Sequence, residues 1–552
     1  MALQVSRICK LLILFVLLGS LLIIRLFYLQ IIENTNLVTQ SLGMRIQEVP
    51  IEVSRGEIVD RNGLPLTNTA QHHKIAVFPR QILNPERAAE QLAALTGIPS
   101  KNLLLQINKN RQPFKIDVKV DTATGEKINK ALIPGIVVVT EKVRYGSLSL
   151  AAHVTGYINL ADNQGVSGIE GMYDEVLRGN QPEYAVALVD AGQQIIPGLG
   201  YKKLRFSNHS EPSNVVLTLD KQIQKSVENV LDKHGIKGAV VVLRPGTGEI
   251  LAMASRPNFN ANHLEKYLTQ ESSPLLNRAI SPYQPGSVFK LVTAAAALEK
   301  GIVQPEDIFF DPGYIEVDNL RFNGWDYDKG GRGQVTFQEA LAYSSNPVFI
   351  TVGLKLGAEN LISYAQKLGF GHKTSLDFND EAAGHLPPYE NLYSGELANL
   401  SIGQGTLEAT PLQIVSLVAT IANDGIKVNP YIVSKLTNSD GIVIKTHNMS
   451  PEVRVLSIKT ARQIQGMMAD VTRYGTGQAA YVKGIGSAGK TGSAETGRTN
   501  ANGKSINHAW FAGYAPIKNP QYAVVIFAEE GMSGGDIAAP MFSEIVSEIT
   551  NL

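Results

Sequence analysis

The chain has 552 residues, with 50 basic and 50 acidic side chains, and hydrophobic residues make up 44% of it. The balanced charge argues against a nucleic-acid partner, because such a partner favours a basic domain or patch. The single cysteine, Cys9, excludes a disulfide within the chain and a zinc knuckle. This length predicts several domains, since single hydrophobic cores rarely grow beyond roughly 250–300 residues.

The N-terminus carries the long apolar run of the sequence. Residues 11–24 read LLILFVLLGSLLII, and LFYL follows Arg25. A run of about 20 residues can cross a bilayer if Arg25 extends toward the interface. The run is too long for the core of a typical secretory signal, and no small-residue cleavage site follows, so we predict a retained anchor over 11–30. Arg7 and Lys10 precede it, and the positive-inside rule therefore predicts a cytoplasmic N-terminus and an extracytoplasmic remainder.

The region from 45 to 205 reads as short strands broken by turns. RGEIVDRNGLPL at 55–66 is typical of a hairpin, with Asn62 and Gly63 suited to its turn. The stretch from 85 to 130 has a helical and polar pattern, and GVSGIEGMYDEVLRG closes the region. No repeat of fixed period is visible.

The pattern changes near 211, where strands and longer helices begin. VVLTLDKQIQKSVENVLDKHG predicts a strand and then a helix that ends at Gly235, and GAVVVLRPGTGEILAMAS predicts two strands joined by a turn. A helix-rich middle follows. HAWFAGYAP and QYAVVIFAEE predict two more strands, and a terminal helix begins at about Pro540. Strand pairs at both ends of a helical middle predict one α/β domain whose sheet joins its two termini.

The stretch SPYQPGSVFKLVTAAAALEK at 281–300 places Ser287 and Lys290 at the start of an apolar helix. Positions i and i+3 of a helix lie about 5–6 Å apart on one face, so this pair sets an amine beside a hydroxyl. A serine hydroxyl is a poor nucleophile until a base takes its proton, and a buried lysine with a lowered pKa can be that base. The alternative role for Ser287 is a helix cap. A second Ser-x-x-Lys, Ser487 to Lys490, lies in a glycine-rich stretch that does not favour a helix.

A Ser-x-Asn group follows the first motif, in YSSNP. The hydroxyl of Ser344 can relay a proton to a leaving amine, and the amide of Asn346 can hold a peptide carbonyl. The alternative is that both residues cap a helix. A rival group, Ser505 to Asn507, follows the third motif instead of preceding it.

The third motif, AGKTGSAE, occurs once. Lys490 and Thr491 can bind a substrate carboxylate, and Gly492 permits close approach of a substrate backbone. The backbone N–H of Ser493, together with that of Ser287, can form an oxyanion hole.

In this order, Ser-x-x-Lys, Ser-x-Asn and Lys-Thr-Gly resemble the motifs of the penicillin-recognising serine acyltransferases. The similarity extends to SIGQG and ATPLQ within 401–413 and to HAWFAGYAP. RGEIVDRNG and GIEGMYDEVLRG resemble the pedestal of class B penicillin-binding proteins. NHAWFAGYAP and GGDIAAP are similar to the elongation type, which works beside a polymerase of the SEDS (shape, elongation, division, sporulation) family.

The resemblance implies an α/β fold with a penicillin-binding or serine β-lactamase-like transpeptidase domain, an antiparallel sheet flanked by helices, over 211–552. A mixed α+β pedestal with an inserted head subdomain would occupy 31–210, after one transmembrane helix and a cytoplasmic tail at 1–10. The implied activity is D,D-transpeptidation at the cell membrane, which cross-links peptidoglycan stem peptides on nascent glycan strands through an acyl-enzyme on Ser287 and is blocked by β-lactams. The implied catalytic residues are Ser287, Lys290, Ser344, Asn346 and Lys490, and the implied substrate-binding residues are Thr491, Gly492 and Ser493.

The resemblance implies no cofactor and no metal. Some elongation-type relatives bind zinc through Asp, His and Cys, and no such cluster with a cysteine is found here; His72 and His73 are not expected to bind a metal. Glycan polymerisation is expected from a SEDS-family glycosyltransferase, RodA-like or FtsW-like.

Three alternatives remain open at this point. A β-lactamase would need a deacylating carboxylate, and Glu396 with Asn399 is one residue short of the class A Glu-x-x-Leu-Asn box. A penicillin-sensing receptor is disfavoured by the single span without a cytoplasmic domain, and a non-catalytic scaffold by the intact motif set. Structural roles are predicted for Arg55, Asp60, Arg61 and Glu170 as buried ion pairs, for His508 as a residue that precedes a strand, and for Trp510, Phe511 and Tyr514 as core and strand residues.

Overall fold

The computed structural model describes residues 2–34, 46–67, 70–146, 150–159, 163–190, 192–196, 198–205, 212–374, 376, 378–448, 451–500, 503 and 505–551. The chain divides into two compact units that alternate along the sequence. The first unit comprises Met1–Ser54, Gln71–Lys142 and Asn180–His209, and the second comprises Arg55–Ala70, Val143–Gly179 and Ser210–Leu552. The second unit therefore takes in two segments from the region predicted as pedestal.

The N-terminal helix spans Ala2–Phe27 and continues as a π-helical turn, Tyr28–Ile32. By length and composition, 7–32 is the one helix among the described residues that is apolar enough to cross a membrane, with a mean hydropathy of 2.6. Its apolar side chains are exposed, as expected of a surface that faces lipid. The predicted anchor at 11–30 lies within this helix.

The rest of the first unit combines two three-stranded sheets with three helices. Asn84 caps the first helix, which begins at Pro85, and Leu92 of that helix belongs to the same hydrophobic core as Ile75 and Ile116 of one sheet. The strands are Ile46–Arg55, Arg178–Leu188 and Tyr201–Arg205 in one sheet and Ala70–Val77, Phe114–Val120 and Ile136–Val143 in the other; the helices are Pro85–Thr96, Ser100–Lys109 and Thr122–Lys130.

The prediction of a continuous helical pattern from 85 to 130 is wrong in its middle. Phe114–Val120, which reads FKIDVKV, is a strand. Its residues alternate between apolar and polar, and this two-residue period puts Ile116 in the core of the sheet. The period was hidden because helical segments flank it closely on both sides.

The second unit is built on a five-stranded antiparallel sheet. In chain order its strands are β1 (Gly238–Leu243), β2 (Ile250–Arg256), β3 (Ala488–Thr499), β4 (Ser505–Ala515) and β5 (Tyr522–Ala528). Their spatial order is β2-β1-β5-β4-β3, so β1 pairs with β5 and the two ends of the unit meet in one sheet. This arrangement confirms the predicted sheet that joins the two termini.

Both faces of this sheet are buried, and successive residues of each strand face opposite cores. In β1, Val241 and Leu243 belong to the larger core, whereas Val240 and Val242 belong to the smaller one. This explains why the strands read as continuous apolar runs. Among the described residues, the α-helices of six or more residues in this unit are α1 (Lys221–His234), α2 (Lys290–Glu299), α3 (Phe337–Ala342), α4 (Asn346–Leu356), α5 (Ala358–Lys367), α6 (Ser394–Ser401), α7 (Pro411–Ala422), α8 (Ile458–Arg473) and α9 (Ala539–Ile549); three shorter ones are Ala152–Thr155, Gly168–Met172 and Asp174–Leu177.

Helices α1 and α9 cover one face of the sheet, and α2 and α7 belong to the core of the other. All residues of α7 are buried, and it begins with Thr410 and Gln413 in a reciprocal capping box, with Pro411 at its first position. Helix α1 begins at the cap Asp220 and ends at Gly235, whose φ of 60° is left-handed, as predicted.

Smaller sheets complete the second unit. One of them has four strands, which are, in spatial order, Val443–Thr446, Val433–Thr437, Asn214–Leu217 and Ile58–Val59. The two-stranded sheets are Ile158–Asn159 with Gln164–Gly165, Ile308–Asp311 with Gly333–Thr336, Tyr314–Val317 with Leu320–Asn323, and Ile426–Lys427 with Val453–Arg454. The predicted hairpin at 55–66 is present as a short turn, in which Gly63 donates to the carbonyl of Asp60.

A buried ion-pair network forms within this unit around Glu170, which is fully buried. Its carboxylate accepts from Arg55 Nε at 2.6 Å, from Arg144 Nε at 2.6 Å and from the Tyr145 hydroxyl at 3.2 Å. Arg55 also donates to Asp174 at 2.7 Å. The predicted structural role of Arg55 and Glu170 is thus confirmed.

The other two residues predicted to form ion pairs, Asp60 and Arg61, have different roles. Arg61 pairs with Glu249, with Nη2 3.2 Å from Oε1. Asp60 instead accepts backbone N–H groups, from Asn62 and Leu64 within its own turn and from Lys221 at the start of α1. Among the described residues Asp60 forms no ion pair, so that part of the prediction is wrong: its carboxylate fixes a turn and a helix end.

Candidate active site

Ser287 lies on a 3₁₀ turn, Gly286–Phe289, that leads directly into α2. Gly286 has a φ of 55°, and a Cβ there would lie 2.7 Å from the carbonyl oxygen of Ser493. Its N–H donates to the carbonyl of Gly403 at 3.0 Å, and a Cβ on Gly403 would overlap the carbonyl oxygen of Gly286. The turn is therefore held between the loop after α6 and strand β3. Ser287 itself is half-buried.

Lys290 is the first residue of α2 and is fully buried. Its Nζ donates to the carbonyl oxygen of Ser344 at 2.7 Å, to Oδ1 of Asn346 at 2.7 Å and to Oγ of Ser344 at 3.3 Å. The first and second motifs are thus in direct contact, over 54 residues of sequence.

The second motif lies at the junction of α3 and α4. Ser344 has a φ of 60°, a left-handed conformation that is uncommon for a residue other than glycine. The cap of α4 is Ser345, whose Oγ accepts from Val348 N at 3.3 Å. The capping role considered for Ser344 and Asn346 therefore belongs to the residue between them. Asn346 Nδ2 donates to the carbonyl of Asn323 at 2.8 Å, which leaves one amide hydrogen.

The third motif lies on the edge strand β3, where Lys490 pairs in register with Ala512 of β4. Lys490 is fully buried, and its Nζ donates to Oγ of Ser344 at 2.9 Å and to the carbonyl of Thr491 at 2.9 Å. The hydroxyl of Ser344 is therefore within hydrogen-bonding distance of both Lys290 and Lys490, and one hydroxyl joins the three motifs.

Both lysines have perturbed pKa values. Burial, with the nearby charge of Lys490, holds the pKa of Lys290 well below its usual value, although Asp311 and Asp326 act in the opposite direction. Burial lowers the pKa of Lys490 to about 7. Two ammonium groups joined through one hydroxyl repel each other, and this repulsion, with burial, favours the neutral form of Lys290, which can accept a proton.

Gly492 and Ser493 follow Thr491 on β3, beside the turn Gly286–Phe289, which is called the serine turn below. A Cβ on Gly492 would lie 2.8 Å from Cγ2 of Val288, the residue after Ser287, so the strand and the turn are in close contact. The hydroxyl of Ser493 accepts from Gly534 N at 3.3 Å, and its carbonyl accepts from the side chain of Gln404 at 3.4 Å.

The rival motifs have other roles. Ser487 is buried, and its hydroxyl donates to the carbonyl of Ala480 at 2.7 Å and accepts from Val482 N at 3.3 Å, within a tight loop. Ser505 is an exposed residue at the start of β4. Glu396 forms a capping box at the start of α6, where its carboxylate accepts from Tyr393 N at 3.0 Å.

Thr476 is a site residue that sequence reasoning missed. Its Oγ1 lies 2.6 Å from Oγ1 of Thr491. The glycines on both sides of it in RYGTG indicate a turn, and nothing in that pattern points to a site. Gly403 and Gln404 lie in SIGQG, a stretch that contributed to the resemblance without an assigned role. Gly403 contacts the turn that carries Ser287, and the side chain of Gln404 contacts the carbonyl of Ser493.

No group of three or more His, Cys, Asp or Glu side chains within the described part of the chain could hold a metal ion. The ring nitrogens of His73 contact the hydroxyls of Thr140 and Thr122 at 3.0 and 3.2 Å. His508 is buried, and its Nδ1 accepts from Glu530 N at 3.2 Å. Trp510, Phe511 and Tyr514 are buried in the cores of the sheet, as predicted.

A serine at a helix start, two buried lysines and a Lys-Thr-Gly edge strand on a five-stranded sheet together define the class of penicillin-recognising serine acyltransferases. Comparison with known families agrees. The profile of the penicillin-binding protein transpeptidase domain matches residues 238–547, and that of the penicillin-binding protein dimerisation domain matches residues 50–198.

Similar proteins extend over almost the whole chain. Stage V sporulation protein D of Bacillus subtilis is 32% identical over 95% of this chain and 82% of its own length. The peptidoglycan D,D-transpeptidase MrdA of Acinetobacter baumannii is 29% identical over 94% of this chain and 84% of its own length.

Among solved structures, penicillin-binding protein PBP2 in its complex with MreC from Helicobacter pylori is 25% identical, with a TM-score of 0.70, and covers 92% of this chain and 99% of that one. PBP3 of Mycobacterium tuberculosis, complexed with aztreonam, is 27% identical, with a TM-score of 0.64, over 92% of this chain and 96% of that one.

The chain belongs to the class B penicillin-binding proteins, the family with a dimerisation domain before the transpeptidase domain. The predicted family and fold class are thereby confirmed. The elongation type fits the relatives named MrdA but is not singled out, because a sporulation protein is similar over 95% of the chain, against 94% for MrdA of Acinetobacter baumannii.

Proposed function

We propose that this protein is a peptidoglycan D,D-transpeptidase that uses Ser287 as its nucleophile. The observation that carries the proposal is the meeting of the three motifs at one hydroxyl, Oγ of Ser344, which lies 3.3 Å from Lys290 Nζ and 2.9 Å from Lys490 Nζ. The family supplies the reaction, since relatives named MrdA are peptidoglycan D,D-transpeptidases.

The reaction begins when Ser287 Oγ attacks the carbonyl between the two terminal D-alanines of a stem peptide. Lys290 takes the hydroxyl proton, as its lowered pKa allows. Backbone N–H groups of Ser287 and Ser493 bind the oxyanion. Ser344, with Lys490 beside it, passes a proton to the departing D-Ala nitrogen, so the C–N bond breaks and an ester to Ser287 remains.

The second half-reaction reverses these proton movements. The amine of a neighbouring stem peptide attacks the ester, gives up a proton through Ser344 and Lys490, and the oxygen of Ser287 is protonated again. Asn346, with one amide hydrogen free, holds a peptide carbonyl of the substrate. Lys490 and Thr491 bind the substrate carboxylate, and Gly492 allows the peptide backbone to lie against β3.

Substitution of Ser287 tests the assignment. Ser287→Ala is expected to abolish covalent labelling by a fluorescent penicillin without loss of fold, and Ser487→Ala is the matched control that keeps its labelling. Mass spectrometry over time should show a penicilloyl adduct on Ser287 that persists for minutes to hours. Labelling of Ser287→Ala at another serine would overturn the assignment, and rapid release of the adduct would make the protein a β-lactamase.

We further propose a single-pass topology with the tail at 1–10 in the cytoplasm and the catalytic domain outside, supported by Arg7 and Lys10 before the apolar helix. A cysteine-reactive, membrane-impermeant reagent applied to intact cells should modify a cysteine introduced at exposed Lys483 and leave Cys9 unmodified. The opposite pattern would reverse the topology.

The proposed partner is a SEDS-family glycosyltransferase, RodA-like or FtsW-like. The family profiles that match are a dimerisation domain and a transpeptidase domain, so glycan strands are expected from another protein. The PBP2 of Helicobacter pylori forms a complex with MreC, a precedent for a protein partner in this family. Affinity capture with a tagged anchor segment should recover the polymerase. If the tagged full-length chain still recovers the polymerase after 1–32 is replaced by an unrelated span, the contact lies elsewhere in the chain.

A further inference from the structure

The hydroxyl of Thr491 has a neighbour whose role is not part of the reaction scheme above. Thr476 follows α8 in the turn Tyr474 to Gly477, and its backbone N–H donates to the carbonyl of Ala342 at 3.0 Å. A Cβ on Gly475 would overlap that same carbonyl oxygen. The backbone of Thr476 is therefore held against the end of α3, and its Oγ1 lies 2.6 Å from Oγ1 of Thr491.

A hydroxyl has one hydrogen to donate and two lone pairs that accept. Either Thr476 donates to Thr491, or Thr491 donates to Thr476. In the first case the hydrogen of Thr491 is free for a third group. In the second case Thr491 turns its lone pairs away from Thr476, and those lone pairs repel a carboxylate, which only accepts hydrogen bonds when ionised.

A bound carboxylate favours the first arrangement, because it only accepts hydrogen bonds and only this arrangement leaves Thr491 a hydrogen to donate to it. Lys490 is compatible with it, since its Nζ lies 3.5 Å from Oγ1 of Thr491 and can donate to the second lone pair of that oxygen. With donors from Thr476 and Lys490 on the oxygen, the hydrogen of Thr491 is directed away from both. Chains of hydrogen bonds in one direction also strengthen one another in a site of low dielectric.

We propose that Thr476 is a positioning residue that directs the hydroxyl hydrogen of Thr491 toward the C-terminal carboxylate of the substrate, and so makes the site selective for a free carboxylate over an ester or amide. This inference rests on the proposed function, in which Thr491 binds that carboxylate. Thr476 acts through Thr491 and does not itself contact the reacting atoms.

The test compares Thr476→Val with Thr476→Ser in the full-length protein in detergent. The measured quantity is the second-order rate constant of acylation by benzylpenicillin and by its methyl ester, in which the carboxylate is capped. Thr476→Val should lower the rate with benzylpenicillin roughly tenfold, the effect of one lost hydrogen bond, and change the rate with the ester much less. Thr476→Ser keeps the hydroxyl and should keep the preference for the free acid.

A double-mutant cycle gives a readout that a merely structural role would not move. In the background of Thr491→Val, Thr476→Val should have little further effect on the ratio of the two rates. Equal losses with both penicillins, or full additivity of the two substitutions, would overturn the inference. If Thr476→Val does not fold, Thr476→Ala serves in the same comparison. Failure of the wild-type protein to be acylated at all would instead refute the proposed function.

Discussion

Lys490 and Lys290 are buried without a carboxylate among the partners of their hydrogen bonds. Their Nζ atoms donate to hydroxyl, amide and carbonyl oxygens of Ser344, Asn346 and Thr491. Neutral hydrogen-bond partners do not compensate for the free energy lost when an ammonium group is removed from water. The folded protein is therefore more stable with these amines in their neutral, deprotonated form. The same burial that prepares a base also lowers stability, as is common where a site is organised for chemistry.

Lys490→Met tests this cost. The unfolded chain binds a proton at this lysine up to about pH 10.4, whereas the folded chain releases it near pH 7. Wild-type stability should therefore rise with pH across that window, and the contribution from Lys490 is lowest at and below pH 7. The variant lacks this slope and should be more stable at pH 7 by roughly 1–3 kcal/mol, with the difference shrinking toward pH 10.

The measurement is urea unfolding of both proteins from pH 7 to pH 10. Lys483→Met, at an exposed lysine before the same strand, is the matched control and should leave the pH dependence as in the wild type. A variant at Lys490 that is less stable at pH 7 would mean that its hydrogen bonds outweigh its burial. Acylation by penicillin should fall by about 10² or more in this variant, because an active-site charge contact is lost.

The sequence predicts which side chains meet at the candidate site, but it does not predict their conformations. Lys290, Ser344, Asn346 and Lys490 are in contact, as the order and residue types of the three motifs predict, and their roles and that of Ser287 stay predictions. The left-handed φ of Ser344 has no sequence signal, since serine rarely adopts it. Thr476 was missed for a related reason: its role depends on a contact with Thr491 across 15 residues, and that contact is made by the packing of α8 against β3.

Among the elements of the site, the loop after α6 supports the serine turn through Gly403, and it contains a second left-handed glycine, Gly405, that does not contact the turn. Gly403, with a φ of 78°, lies where a side chain would overlap the carbonyl of Gly286. Gly405, with a φ of 82°, has nothing nearer to its Cβ position than Cβ of Asn399, at 3.5 Å. The two positions share the same backbone strain on substitution and differ in the space around them.

Gly403→Ala and Gly405→Ala are therefore a matched pair. Both should lose roughly 1 kcal/mol from the left-handed backbone. Gly403→Ala should also displace the turn that carries Ser287 and slow acylation by penicillin at least tenfold more than Gly405→Ala does, with a lower melting temperature. Acylation rate and thermal melting are the two measurements. Equal rates for the two variants would show that the contact between the loop and the turn is not needed for acylation.

Prediction of the elements was most accurate where a pattern repeats along one segment. The strands β1, β2, β4 and β5 were found because each is an apolar run bounded by turn residues. Phe114–Val120 merges with the helical pattern of its neighbours because it is half-exposed and helical segments flank it closely on both sides. The assignment of Arg55–Ala70 and Val143–Gly179 to the second compact unit has no sequence signal either, since it arises from packing between distant segments such as Arg55 and Glu170.

At the scale of the whole molecule, the apolar N-terminal helix is separate in sequence from all three motifs. Deletion of 1–32 should give a protein that fractionates with soluble material and still forms a penicilloyl adduct on Ser287, because the contacts of the site lie within the second compact unit. Cell fractionation and fluorescent penicillin labelling measure the two properties.

The same truncation should fail to restore cross-linking in cells that lack the full-length protein. Replacement of 1–32 by an unrelated membrane span is the control, which separates membrane attachment from specific contact. Loss of penicillin labelling in the truncated protein would contradict the independence of the site from the anchor. Full complementation by the truncated protein would contradict a need for the anchor in cells.

The pairing of β1 with β5 has a consequence for how the enzyme matures. β2 ends at Arg256 and β3 begins at Ala488, so a ribosome completes β1 and β2 long before β3, and the sheet cannot close until β5 at Tyr522–Ala528 has emerged. Contacts between such distant segments make folding slow and late. Lys490 lies on β3, so a nascent chain that ends before β3 carries Ser287 without the contact between Lys490 and Ser344. If Ser287 and Lys490 have the proposed roles, acylation of Ser287 is expected only after synthesis of the chain is almost finished.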